Sequence, residues 1–217
     1  MIADIVKRLK SEIPDYVTII AATKTRSQEE IVQVIETGIL DFGENYVQEA
    51  QRKYASLEFA VRWHCIGHLQ TNKVKKAVEI FDVIQTVDSL KLAAEIDRRC
   101  SAIGKKMPVL IEINSAREED KSGVFPENTI ELVETVAALE HLSIIGLMTM
   151  GPVTDRTDEI RPYLRLTRKL FEEISNLGIE NVSMKYLSMG MSDSYRVAIE
   201  EGSNMVRLGT AIFGERK

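Results

Sequence analysis

Short apolar runs and amphipathic stretches alternate along the whole chain. The runs fall at residues 17–22, 39–42, 63–66, 83–87, 109–113, 144–148, 184–188 and 205–208. Each is four to six residues long and rich in β-branched side chains, the pattern of strands buried on both faces. Helical patterns lie between them. Ser27 stands where an N-cap belongs, before Glu29 and Glu30, with Ile31, Val34 and Ile35 on one face and Gly38 at the end. Residues 89–103 repeat the plan, with Leu92, Ala93 and Ile96 sharing a face and Gly104 closing it. Pro126 opens a helix that carries Ile130, Val133, Val136 and Ala137, and the longest helix runs from about Thr157 to Leu177, stopped by Gly178. Parallel strands need such crossovers, and eight strand–helix units suit a closed (β/α)8 barrel. An open doubly wound sheet uses the same alternation, and periodicity does not separate the two.

In a barrel the chemistry sits at the carboxyl ends of the strands, so the residues that end each run matter most. The first run ends in Ala22-Thr23-Lys24. A lysine there would aim its amine into the mouth, where desolvation favours the neutral, nucleophilic form. A solvated lysine at a strand end is the plainer reading. The second run leads into Gly43-Glu44-Asn45, which reads as turn chemistry or as an amide offered to a ligand. The loops after the last two strands are the usual phosphate site of the barrel, and they carry Ser188, Gly209 and Thr210. Arg207 lies inside an apolar strand, so it faces the barrel interior or a ligand, and a structural ion pair with Glu112 is the alternative. His64, Cys65 and His68 are close together, but no complementary pair at metal spacing accompanies them, so they read as structural, with His68 near the mouth. Lys73, Lys75 and Lys76 read as a solvated helix face, Asp120 and Lys121 as a polar loop, and no Ser/His/Asp set is evident.

Composition narrows the function classes. The chain has 217 residues, enough for a sizeable core, and is read as one domain over 1–217. Its formal net charge is −5, which argues against nucleic-acid binding. No apolar run approaches a membrane span, and the N-terminus lacks a secretory pattern. Two cysteines are too few for a disulfide framework. A soluble, cytoplasmic protein with no membrane partner is expected.

Five segments together are distinctive: Ala22-Thr23-Lys24, the stretch 42–49 (FGENYVQE), the stretch 63–73 (WHCIGHLQTNK), the stretch 187–193 (LSMGMSD) and the stretch 206–214 (VRLGTAIFG). Taken in order they resemble the pyridoxal 5′-phosphate (PLP) homeostasis protein family, over essentially the whole chain from about residue 15. The sequence departs from that pattern at His68, where a proline stands in many relatives, a difference that bears on the shape of that loop. The resemblance implies a PLP-binding barrel of fold type III, like the N-terminal barrel of alanine racemase. It implies PLP held as an internal aldimine on Lys24, with Ser188, Gly209 and Thr210 at the phosphate, Arg207 at the pyridine nitrogen, and Asn45 and Met148 beside the ring. The expected role is an intracellular PLP carrier or buffer without robust catalysis of its own. Its partners would be PLP and apo forms of PLP-dependent enzymes, and its state a monomer or weak dimer. Two alternatives stand. One is a small PLP-dependent enzyme, such as a racemase or decarboxylase, with Tyr46, Tyr195 or a neighbouring chain as second base. The other is a phosphate-binding barrel that uses Lys24 for aldol chemistry.

Overall fold

All eight apolar runs become strands. In the computed structural model, which describes residues 2–215 apart from 153 and 155, they are β1 (Thr18–Ala22), β2 (Asp41–Glu44), β3 (Arg62–Cys65), β4 (Val83–Val87), β5 (Met107–Ile113), β6 (Leu142–Thr149), β7 (Val182–Met191) and β8 (Met205–Leu208). Every neighbouring pair is parallel, and β8 pairs with β1, so the sheet closes into a barrel in sequence order. Closure decides between the two architectures open to the sequence: the open doubly wound sheet is excluded.

The helices are α1 (Ile2–Glu12), α2 (Gln28–Ile35), α3 (Val47–Ser56), α4 (Val74–Ile80), α5 (Leu90–Ser101), α6 (Thr129–Ala137), α7 (Arg161–Asn176), α8 (Tyr195–Glu200) and α9 (Thr210–Phe213). Ser27 caps α2 through a full capping box with Glu30, and Ser89 caps α5. The stretches opened by Pro126 and Thr157 each begin as a 3-10 turn before the α-helix proper. Among the described residues, no helix is long and apolar enough to cross a membrane.

Two layers of side chains hold the molecule. The larger packs outward-facing strand residues such as Phe42, Trp63, Ile84, Ile111 and Leu147 against the helices. The smaller lies inside the barrel, where Val83, Leu110 and Met148 cluster. Gly43 faces inward, because a Cβ there would stand 2.6 Å from Ile66 and 2.9 Å from Ile20, which fill its place. The far side of the barrel is less regular, with register shifts in each pairing from β4·β5 to β7·β8. Gly146 makes one of them, at φ +153°, and a Cβ there would lie 1.8 Å from the Tyr186 carbonyl. Only glycine fits that crossing.

Candidate functional site

The chain leaves β1 at Ala22 and turns over the rim through Thr23, Lys24 and Thr25. Thr25 has φ +67°, a left-handed turn for a non-glycine residue, and its N–H donates to Glu49 Oε1 at 2.6 Å. Such strain persists only where neighbours over-determine it, and here they do. Buried Thr23 donates its hydroxyl to Glu44 Oε1 at 2.6 Å, and Lys53 Nζ reaches Glu44 (2.5 Å), Glu49 (2.8 Å) and the Thr23 carbonyl (2.5 Å). Burial pushes the Glu44 carboxyl up, and hydrogen bonds from Lys53 and Thr23 oppose that shift. Lys53 therefore neutralises the carboxylates on this side. Lys24 Nζ is left facing the Tyr46 ring, 5.0 Å from its centroid. It is half-buried, with no carboxylate partner among the described residues.

Arg207 stands on the adjacent strand, in register with Ile20 of β1, and is 3% exposed. Its Nη1 donates to the Ser188 carbonyl (2.9 Å) and hydroxyl (2.6 Å), and Nη2 to the Thr149 carbonyl (2.8 Å) and toward Met150 Sδ (3.4 Å). Burial lowers its pKa to about 10, with Glu112 opposing, so it stays charged at neutral pH. The alternative reading, an ion pair with Glu112, is not its direct contact: the guanidinium is anchored on Thr149 of β6 and Ser188 of β7.

Glu112 lies 6% exposed near the mouth, and its Oε2 has no hydrogen-bond partner. Burial, then the charge of Asp88, raises its pKa to about 7, with Arg207 opposing. It borders a cavity of about 430 Å³ together with Asn114, Asp120, Lys121, Met191 and Asp193. Lys121 itself is paired with Glu118 at 2.5 Å.

The other expected site residues separate. Gly209 and exposed Thr210 sit at the mouth, where α9 begins. Ser188 does not join them. It is fully buried, and its hydroxyl is committed to Gln85 and Arg207. The reason is that β7 runs on to Met191, so Ser188 lies within the strand. Ser192 occupies the mouth instead, its Oγ accepting from the N–H groups of Gly209 (3.1 Å) and Ala211 (3.0 Å). Asn45 is half-buried and shares a cleft with Tyr46, Gly67 and His68. Met148 is wholly buried, in the small interior cluster beneath the mouth. His68 is exposed and joins loops through Ser122 (2.9 Å). Of the candidate second bases, Tyr46 lies beside Lys24, whereas the Tyr195 hydroxyl donates to Glu12 at 2.9 Å. Sequence reading missed Ser192 and Gln85. Ser192 stands four residues beyond Ser188 in the same motif, and Gln85 sits beside Thr86 inside an otherwise apolar run.

Known proteins resemble this chain in sequence and in fold. The family model for the alanine racemase N-terminal domain matches residues 2–217. A "Pyridoxal phosphate homeostasis protein" of Aquifex aeolicus is 42% identical over 200 residues, covering 92% of this chain and 87% of its own. One of the same name from Helicobacter pylori is 39% identical, with 92% and 88% covered. PipY of Synechococcus elongatus, solved with PLP bound, superposes with a TM-score of 0.91 at 32% identity, over 99% of this chain and 100% of its own. Alanine racemase of Clostridium difficile shares the fold at 14% identity, with a TM-score of 0.85 over 99% of this chain and 59% of its own. Its closed barrel and the extent of these matches place the chain in the pyridoxal phosphate homeostasis protein family, built on the barrel of the alanine racemase N-terminal domain.

Proposed function

We propose that this protein binds PLP at the barrel mouth and serves intracellular PLP homeostasis as a carrier or buffer. The observation that carries the reading is the presence of two unlike groups at the β1·β8 seam, one on the turn that follows β1 and one on β8. Lys24 presents an amine with no carboxylate partner among the described residues, and Arg207 is a buried, immobilised cation on β8, the strand paired with β1. When bound, PLP supplies an aldehyde that condenses reversibly with primary amines, and a ring that draws electrons from such adducts. Lys24 provides the amine. Ser192, Gly209 and Thr210 make the phosphate end, with small residues and hydroxyls at the rim. Arg207 has donors beyond those spent on Ser188 and Thr149, and turns one to the ring nitrogen. Ser188 acts one layer below, as a support of Arg207. Asn45 flanks the ring, and Met148 contributes to the apolar floor.

Arg207 also limits the chemistry. A guanidinium that donates to the ring nitrogen leaves that nitrogen unprotonated, so the ring is a poor electron sink. Racemisation further needs an acid or base on each face of the substrate. Tyr195 is committed to Glu12, which leaves Tyr46 as the nearest phenol to Lys24. Both points favour holding and delivering PLP over turning over amino acids. Apo PLP-dependent enzymes are the recipients in this reading, and the protein works in the cytoplasm as a monomer or weak dimer.

Mixing the purified protein with PLP should give a visible absorption band that borohydride bleaches while fixing PLP mass on the Lys24 peptide. Lys24→Ala should lack both, and a persisting band would remove Lys24 from its role. Incubation with an apo-enzyme should restore that enzyme's activity. Rapid deuterium exchange at Cα of a common amino acid would instead favour the enzyme reading.

A further inference from the structure

Below the mouth, a single line of polar side chains runs through the barrel interior. Arg207 Nη1 lies 2.6 Å from Ser188 Oγ, and Ser188 Oγ lies 2.7 Å from Gln85 Oε1. Gln85 Nε2 lies 3.0 Å from His64 Nδ1, and His64 Nε2 lies 2.9 Å from Asp41 Oδ1. Arg207, Ser188, Gln85 and His64 are each at most 3% exposed. Asp41 opens β2 at the other end of the barrel, and is also paired with Arg62 at 3.1 Å.

The chemistry of the members orders their protons. Arg207 can only donate, so Ser188 Oγ accepts from it. The single Ser188 proton then goes to Gln85, which must present its carbonyl oxygen. Gln85 therefore turns its amide N–H to His64, whose Nδ1 accepts, and His64 donates from Nε2 to the Asp41 carboxylate. Every member donates in the same direction, and the line ends on an anion. Hydrogen bonds so aligned polarise one another in a low-dielectric interior. Reversing one amide would leave a buried hydroxyl proton without an acceptor, which is costly.

We propose that Gln85 is a positioning residue for Arg207, acting through Ser188, and that His64 and Asp41 set the direction of the line. The functional consequence rests on the reading of Arg207 as the partner of the PLP ring. The orientation of the guanidinium does not, and it is measured without PLP.

The test compares wild type, Gln85→Met, Ser188→Ala and the double variant by guanidinium ¹⁵N–¹H spectroscopy of the ligand-free protein. The Arg207 signals are identified by their loss in Arg207→Lys. Held by fixed acceptors, they should exchange slowly with water. Gln85→Met should speed that exchange by up to about tenfold, as for loss of the neutral hydrogen bond that fixes the Ser188 hydroxyl. The double variant should behave like Ser188→Ala alone. Once PLP is added, Gln85→Met should shift the visible band in the same sense as Ser188→Ala. Unchanged Arg207 exchange in Gln85→Met, or additive effects in the double variant, would overturn the proposal, even if the melting temperature fell. Should Gln85→Met not fold, Asp41→Asn at the far end reads the same signals, and must speed their exchange for the proposal to stand. If wild type shows no band with PLP, the function reading fails, while the exchange data still decide the line.

Discussion

Replacing Glu112 with glutamine tests the electrostatics of the mouth. The wild-type carboxyl is buried, its Oε2 has no hydrogen-bond partner, and its pKa is raised to about 7 from the 4.5 of an unfolded glutamate. The folded state therefore holds the proton more tightly than the unfolded state. Stability from this group is complete below about pH 4.5 and is lost as pH rises through 7. Integrated from pH 5 to pH 8.5, the lost stability is about 2–3 kcal/mol. Glu112→Gln keeps the shape and removes the titration. Urea unfolding of both ligand-free proteins at the two pH values isolates the effect, because other titrating groups are common to both. The variant should gain about 2–3 kcal/mol on wild type between pH 5 and pH 8.5. Parallel pH profiles would refute the reasoning, and would mean that the carboxylate finds a cation, such as Lys121 or Arg207, in solution.

Two further outcomes follow from packing and charge. Gly146→Ala should destabilise by about 3 kcal/mol or more, read as a fall in unfolding midpoint, because its Cβ would meet the Tyr186 carbonyl at 1.8 Å. A near-neutral result would mean that the β6·β7 crossing relaxes. Lys53→Ala should cost roughly 3–5 kcal/mol, since it strands buried Glu44 without its cation. It should also slow the reaction of Lys24 with PLP, by loosening the Thr23 turn. An unaltered rate would separate that network from the site.

The strands and caps were legible in the sequence because each is a local pattern. The runs at 83–87 and 205–208 coincide with β4 and β8, and Ser27 and Ser89 cap their helices. Lys24 and Arg207 were legible as well, since each breaks an apolar stretch at a telling place. Strand length was harder. β7 carries a polar Ser188 and two glycine-spaced methionines before it ends at Met191, so its sequence suggests a rim at Ser188, three residues before the strand ends. The interior line of His64, Gln85 and Ser188 was invisible for another reason. Which strand residues face inward, and which meet across the barrel, depends on closure and register. Those are properties of all eight strands together.

The β1·β8 seam carries a cost in time. It joins Thr18 to Met205, near opposite ends of the chain, and Lys24 and Arg207 lie on either side of it. A ribosome must release every residue from β1 through β8 before this ladder can zip. Until then β1 shows an unpaired edge, open to the wrong neighbour. The step that seals the cylinder also brings the amine and the guanidinium together, so a nascent chain acquires its cofactor site only when the exposed edge disappears.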